Sequence, residues 1–306
     1  MKRVAIVIVT HNSAANIGEC LDALGSLDGV EIVVIDNASH DGTVDEVLLR
    51  KVRVIANSKN AGFAGAVNQG VRETSAPLVL LLNPDTVLMK GLESLEAEFA
   101  DPKTGAAGGL LTDADGNAQA GFMARNLPGP SALIFEVLGV NALWPRNRIN
   151  WHYRCLGMDP VTPGFVEQPA GAFLMFPRPV WEMLGGFDER FWPVWFEDVD
   201  FCARIGQAGF LVRYNPAALA KHTGGHSVGT LPLEIRERYW YGSLLEYAAK
   251  HYPPLTYRLV CGAVAMGAVF RAVGGWPRLG SKAVAVYGAV CRLALGCMLT
   301  GRASGR

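Results

Sequence analysis

Five consecutive apolar residues, Leu78 to Leu82, run directly into Asn83-Pro84-Asp85. A run of that length fits a strand buried on both faces and is too short for most helices. Proline has no amide hydrogen to give a central ladder, so Pro84 ends the strand. Asp85 is thereby delivered to the end of a buried strand, where an open α/β sheet holds its ligands. A carboxylate at that point suits a hard divalent cation engaged with phosphates.

The same pattern recurs upstream. Val4 to Val9 is an apolar run ending at Thr10-His11-Asn12-Ser13, where Asn12 or Ser13 caps a helix that reaches about Leu27. Glu31 to Ile35 repeats the strand and stops at the polar loop Asp36 to Gly42, before a short helix from Thr43 to Leu49. Val52 to Ala56 makes a third strand, and Asn60-Ala61-Gly62-Phe63-Ala64-Gly65 opens a helix through about Glu73. Strands alternating with helices predict a mostly parallel, doubly wound α/β sheet.

After a helix around Leu92 to Ala100 the pattern changes. Ala106 to Leu111 and Ala118 to Phe122 flank Asp113-Ala114-Asp115-Gly116-Asn117, the signature of a hairpin with an Asp-Gly turn. No glutamate follows at the position that a calcium loop requires, so the acidic turn is not read as a calcium site. Met123 to Val166 is rich in Pro, Asn, Arg and Trp, has no clear period, and is read as an irregular segment for acceptor recognition.

Gly171 to Phe176 resumes a strand and Arg178 to Leu184 a short helix. Phe191, Trp192, Trp195 and Phe196 then precede Glu197-Asp198-Val199-Asp200, acids that open a helix to about Ala208; the aromatics are read as an acceptor platform. Asp200 and Arg204 also stand at the spacing of an ordinary i, i+4 ion pair. Leu211 to Tyr214 predicts an edge strand, followed by Lys221 to Ser227, a Gly-rich break whose His222 and His226 are candidates for metal or phosphate contact.

With 306 residues, half of them apolar, the chain can bury a large core. Its 28 Lys and Arg balance its 28 Asp and Glu, but the eight basic residues from Tyr247 onward meet no acid, which leaves 20 − 28 = −8 on the first 246 residues. That asymmetry points to contact of the C-terminal end with a membrane surface or another polyanion, and nucleic acid is not an expected partner. Six cysteines without CxxC spacing read as free thiols in a reducing compartment. The N-terminal apolar run meets no small-residue cleavage site before His11, so it is read as the first strand of a cytoplasmic protein.

Taken as one ordered set, Asp36-Asn37-Ala38-Ser39, Asn60-x-Gly62-Phe63 with Asn68 beyond it, Asn83-Pro84-Asp85, Gly171-Ala172, Gly186-Phe187-Asp188 and Glu197-Asp198-Val199-Asp200 resemble the family 2 glycosyltransferases of the GT-A fold, in particular bacterial rhamnosyltransferases. The resemblance covers Val4 to Ser227. It implies a GT-A domain over 1–228, with a nucleotide-sugar half near 1–112 and an acceptor half near 113–228, joined to a C-terminal helical region over 229–306. It implies that Asp36 contacts the base or ribose, with Thr10 and Asn12 near the nucleotide. Asn60, Gly62 and Asn68 mark a helix start close to the diphosphate, where unpaired backbone amides favour anions.

The family's metal motif stands here as Asn83-Pro84-Asp85, without its first carboxylate. Asp85 then anchors Mg²⁺ or Mn²⁺, with His222 as its partner. Asp198 is implied as the general base and Glu197 as a residue that positions a sugar. The implied activity is inverting transfer of a sugar, L-rhamnose from dTDP-rhamnose, to a cell-surface or lipid-linked glycan. A UDP-sugar donor and a non-catalytic glycan-binding scaffold are the alternatives. A sugar nucleotidyltransferase is excluded because Thr10-His11-Asn12-Ser13 is not a basic, Gly-rich triphosphate loop.

Beyond the resemblance, Leu231 to Tyr252 predicts an amphipathic helix. Leu259 to Phe270 and Ala283 to Leu299 are apolar but fall short of the roughly 20 residues of a comfortable membrane span. Basic and acid-free, this tail fits helices lying on an anionic bilayer, or a helical pair packed on protein.

Overall fold

The computed structural model describes residues 2–224, 229 and 231–303. The chain divides into two compact units. The first comprises Met1–Leu127, Gly157–Glu189 and Glu197–Thr230, and the second Pro128–Leu156, Arg190–Phe196 and Leu231–Arg306.

The first unit is built on strands β1 (Val4–Thr10), β2 (Val30–Asp36), β3 (Arg53–Ala56), β4 (Leu78–Leu82), β5 (Thr86–Lys90), β6 (Thr104–Thr112), β7 (Ala124–Arg125), β8 (Gly164–Phe165), β9 (Gln168–Pro169), β10 (Phe173–Pro177) and β11 (Leu211–His222). Its helices are α1 (Ala14–Leu24), α2 (Thr43–Leu49), α3 (Phe63–Arg72) and α4 (Leu92–Ala97), and, further along the chain, α8 (Arg178–Met183) and α9 (Glu197–Gln207). The main sheet runs β3-β2-β1-β4-β10-β6-β11-β5, with β8 beside β11 and a separate β7-β9 pair. β1, β2, β3 and β4 are parallel, as the strand-helix alternation predicts.

β1 shows why its sequence is continuously apolar. Val4, Ile6 and Ile8 join Ile17, Leu21 and Leu24 of α1 in one core, while Ala5, Val7 and Val9 join Val67 and Val71 of α3 and Phe201 and Ile205 of α9 in another. Alternate side chains of one strand thus fill two cores on opposite faces, and every residue of β1 is buried. The mostly parallel α/β sheet expected from the sequence is present, with a small antiparallel pair and C-terminal helices.

Two local expectations fail for identifiable reasons, and one strand, β5, had not been anticipated. Leu211–Tyr214 is the start of a twelve-residue interior strand, not an edge strand. Its ladder shifts register between Tyr214 and Leu219, so Asn215-Pro216 is absorbed in a bulge instead of ending the strand. Residues 118–122 do not form a hairpin strand; beyond the single bridge Thr112–Ala118 the chain turns, with the amides of Phe122 and Met123 donating to the Gln119 carbonyl. β5 follows Pro84 at once, because Asn83 to Thr86 is a tight turn closed by the Thr86 amide on the Asn83 carbonyl, with proline at its second position.

The second unit is helical. The segment read as irregular holds α5 (Pro130–Val137), α6 (Val140–Leu143) and α7 (Arg148–Tyr153), each too short to show a period. They are followed by α10 (Leu233–His251), α11 (Pro254–Leu279) and α12 (Ser281–Thr300). α11 and α12 have 26 and 20 residues, longer than their apolar runs suggest, and by length and composition both suffice to cross a membrane. Phe191 and Phe196 of the expected acceptor platform are buried here; Phe196 packs on Tyr247 with ring centroids 5.5 Å apart and Trp192 on Tyr239 at 5.6 Å.

Gly91 turns β5 into α4 with φ +83°, and a Cβ there would collide with the Ala217 carbonyl beside it. Gly91→Ala combines a left-handed backbone penalty with displacement of β11. It should cost about 2–4 kcal/mol, read as a lowered urea midpoint at unchanged slope.

Candidate active site

Parallel β1, β2 and β4 end on one edge of the sheet, and the strand order reverses between β1 and β4, the crevice where such sheets bind ligands. β6 and β11 also end there, while β5 and β10 begin there, since both run antiparallel to their neighbours. Residues distant in sequence are gathered on this edge.

Thr10 and Asp36 are register partners at the ends of β1 and β2. The Thr10 hydroxyl donates to Asp36 Oδ1 (2.8 Å), as does the Ser39 hydroxyl (2.5 Å), and the Ser39 amide donates to Oδ2 (2.9 Å). Asp36 is 1% exposed and held in a fixed orientation. Asn12, at φ +53°, closes this loop: its Oδ1 accepts the His40 amide (2.8 Å) and its own amide donates to Ser39 Oγ (2.8 Å).

Asn60 shapes the start of α3. Its Oδ1 accepts the Gly62 amide (2.8 Å), and Gly62 takes φ +80°, which favours glycine. The Gly62 carbonyl accepts the Asn37 side chain at 3.0 Å, which joins this turn to the loop after β2. Asn68 is different from the nucleotide contact expected of it. Its Nδ2 donates to the Phe187 carbonyl (2.8 Å) and Glu189 Oε1 (3.0 Å), and its Oδ1 accepts the Trp181 indole (3.1 Å) and the Phe187 amide (2.8 Å). At 2% exposure Asn68 clamps the 181–189 segment to α3.

Asn83 donates its amide to the Ala172 carbonyl (3.1 Å), which ties the end of β4 to the start of β10. Asp85 and His222, 137 positions apart, are neighbours: Nε2 of His222 lies 3.5 Å from Oδ1 of Asp85. Thr223 pins the turn by donating its amide to the Asp85 carbonyl (3.1 Å). Asp85 Oδ1 is buried and receives no hydrogen bond, an expensive arrangement unless a cation compensates it. A carboxylate oxygen and an imidazole nitrogen 3.5 Å apart are donors that fit Mg²⁺ or Mn²⁺. No cluster of three His, Cys, Asp or Glu is found among the described residues, so phosphate oxygens and water would complete the coordination. His226 lies outside the described residues.

Glu197 and Asp198 open α9. Asp198 is cradled by donors: Oδ2 accepts Gln168 Nε2 (2.9 Å) and the Gly171 amide (3.0 Å), and Oδ1 accepts the Val199 amide (2.8 Å). A Cβ at Gly171 would sit 3.0 Å from Asp198 Cβ, a tight contact that would press on the Asp198 side chain. Burial lifts the Asp198 carboxyl above the usual aspartate range, against the pull of those amides and of the Arg125 charge. Glu197 is 5% exposed with an unpartnered Oε2; burial, and then the charge of Asp198, push it well above the carboxylate range. Asp200 is the ion-pair residue its spacing allowed, with Arg204 Nε donating to Oδ2 at 2.8 Å.

Gln119, Phe122, Arg125 and Gln168 were not found from sequence. They come from the turn after β6 and from the β7-β9 pair, where no motif marks them.

The Glycosyl transferase family 2 profile matches residues 5–158. The chain is 30% identical over 249 residues to an N-acetylglucosaminyl-diphospho-decaprenol L-rhamnosyltransferase of Mycobacterium tuberculosis, spanning 74% of this chain and 78% of that protein. It is 26% identical over 252 residues to the O-antigen chain rhamnosyltransferase RfbN of Salmonella typhimurium, spanning 78% and 70%. Among solved structures it resembles a mannosyltransferase from Pyrobaculum calidifontis in complex with GDP-Man and Mn²⁺, with TM-score 0.56, 18% identity and coverage of 98% and 84%.

The Glu197 environment makes a prediction about stability. A carboxyl whose folded pKa is raised holds a proton that the unfolded chain releases, so stability falls as pH rises from the unfolded value through the folded one, by at most about 1.4 kcal/mol per pH unit. Glu197→Gln removes that loss. Its stability relative to the parent should therefore grow between pH 4 and pH 8 in urea titrations, and a constant difference would refute the buried-acid assignment.

Proposed function

Because the chain belongs to glycosyl transferase family 2 and has the GT-A fold, we propose that this glycosyltransferase moves L-rhamnose from dTDP-L-rhamnose to a hydroxyl of a cell-surface or lipid-linked glycan, with inversion. The observation that carries the reading is the convergence of Asp85, His222 and the cradled Asp198 on the sheet edge that also holds Asp36. The rhamnosyl donor is supported by the two rhamnosyltransferase relatives.

In this reading Asp36 fixes the nucleoside, and the turn at Asn60 and Gly62 presents the α3 amides toward the diphosphate. Asp85 and His222 hold the cation. When bound, that ion neutralises charge on the departing diphosphate. The acceptor hydroxyl attacks the anomeric carbon as the bond to the phosphate oxygen breaks, the electron pair leaving with the diphosphate. Asp198 takes the hydroxyl proton. Three N–H donors orient its carboxylate without filling every acceptor position, and its raised pKa makes it a stronger base than an exposed aspartate. Glu197 remains protonated and orients a sugar hydroxyl.

Calorimetry with dTDP, UDP and GDP, each with Mn²⁺ and with chelator, tests donor and metal together, and a dTDP-rhamnose turnover assay tests the sugar. Selective, metal-dependent dTDP binding is expected; preference for UDP would replace the donor. Asp198→Asn should leave that binding within about threefold and reduce turnover by 10²–10⁴-fold, the usual scale for loss of a general base. In the parent protein the acid limb of kcat/KM should lie above the ordinary aspartate range.

We further propose that α11 and α12 attach the enzyme to the cytoplasmic face of an anionic membrane, where a lipid-linked acceptor would lie. The outer face of α11 carries Leu255, Leu259, Met266, Val269, Phe270, Val273 and Trp276, all exposed and at helical spacing. Every charged residue on the two helices is Arg or Lys. Arg271 donates to the Glu136 carbonyl (3.2 Å) and Arg292 is exposed midway along α12, so both helices carry a central charge that a bilayer interior disfavours. Lying on the surface fits these features better than crossing it. The protein should sediment with vesicles containing phosphatidylglycerol and release in high salt. Leu259→Glu with Phe270→Glu should weaken binding at least tenfold, given about 1.5–3 kcal/mol for each buried side chain. Equal partition onto neutral vesicles would remove the charge argument.

A further inference from the structure

We propose that Gln119 is a positioning residue that fixes the tautomer of His222, so that the Nε2 lone pair faces the cation held with Asp85; this role rests on the metal reading above. Two contacts determine it. Gln119 Nε2 donates to the backbone carbonyl of His222 at 2.8 Å, and Gln119 Oε1 lies 3.0 Å from His222 Nδ1.

A carbonyl oxygen can only accept, so the amide atom facing it is the NH₂ group and the other is the oxygen. That oxygen can only accept in turn, so Nδ1 must carry the hydrogen. A neutral imidazole has one N–H, and its Nε2 therefore keeps a lone pair. That nitrogen lies 3.5 Å from Asp85 Oδ1, too far for a good hydrogen bond and close enough for both atoms to serve one cation.

The clamp is itself held. The Gln119 amide donates to the Leu111 carbonyl in β6 (2.9 Å), and its carbonyl accepts the amides of Phe122 and Met123 (both 3.0 Å). That turn brings Phe122 flat against the imidazole, with centroids 5.0 Å apart and planes 3° from parallel. One short turn thus sets the ring's plane and the identity of its protonated nitrogen. Without Gln119 the opposite tautomer would let Nε2–H donate to Asp85, and the two ligands would satisfy each other.

Two readouts test this on the full-length protein. In ¹⁵N-histidine spectra of metal-free protein at pH 8.5, His222, assigned by the resonance missing from His222→Gln, should be the Nδ1–H tautomer and should change to Nε2–H in Gln119→Leu. Calorimetry with the tightest binder of dTDP, UDP and GDP should show Gln119→Leu losing 10–100-fold in affinity with Mn²⁺ and unchanged with chelator, the usual scale for an outer-shell partner. Gln119→Glu keeps the acceptor for Nδ1–H but sets its second oxygen against the His222 carbonyl, so it should keep the Nδ1–H tautomer while recovering only part of the affinity. Parent-like Mn²⁺-dependent binding by Gln119→Leu, an equal loss in chelator, or Nε2–H in the parent would each overturn the role. If the parent protein and Asp85→Ala both bind the nucleotide equally with and without Mn²⁺, the metal reading itself fails, and the Gln119 role with it.

Discussion

Parallel pairing of β1 with β2 on one side and β4 on the other is the constraint on which the site depends. It sets Thr10 against Asp36 and brings the end of β4 beside the end of β1, so side chains 26 and 75 positions beyond Thr10 share one edge. The pairing is stable because each strand is buried on both faces and cannot slip by one residue without moving its side chains into the wrong core. The antiparallel strands extend this edge: Ala172 receives the Asn83 amide, and the neighbouring Gly171 amide reaches Asp198. Asp198 is therefore referenced to the end of β4 through two consecutive residues.

Acidic residues on this edge live in different surroundings, and their chemistry divides accordingly. Asp36 is held by hydroxyls and an amide, a setting for a rigid hydrogen-bond acceptor. Asp198 is buried among N–H donors that favour its carboxylate form while burial raises its pKa. Glu197, adjacent in sequence, has no such donor at Oε2, and burial pushes its carboxyl well above the usual range. One helix N-terminus thus gives two adjacent carboxyls different surroundings, set by hydrogen bonding and not by residue type.

The apolar runs and their polar stops made β1, β2 and β4 legible, together with the placement of Asp36 and Asp85, because burial on both faces leaves no other pattern. What was illegible depended on long-range partners. Proline at 216 reads locally as a break, and only pairing with β6 and β5 makes it a bulge within a strand ending at His222. Asn68 carries a motif position, yet its four hydrogen bonds go to a segment more than 110 residues away. The aromatics before Glu197 read as a surface platform, but the composition of Phe191 and Phe196 serves a helical core equally well. Gln119 had no signal, since its partner lies 103 residues downstream.

The asparagine at 83 gives the Gln119 contact its weight. A site with two carboxylates can attract a cation by charge and tolerate an imperfect third ligand. With Asp85 the sole carboxylate of that motif, more of the selectivity falls on a neutral imidazole, which binds only through the nitrogen that lacks a proton. An imidazole 3.5 Å from a carboxylate would otherwise turn its N–H toward it, so a lone-carboxylate site is prone to closing on itself. Gln119 blocks that closure by occupying the opposite nitrogen, and Phe122 keeps the ring in plane. The Asp85 Oδ1 that receives no hydrogen bond is what the Gln119 role would leave beside His222.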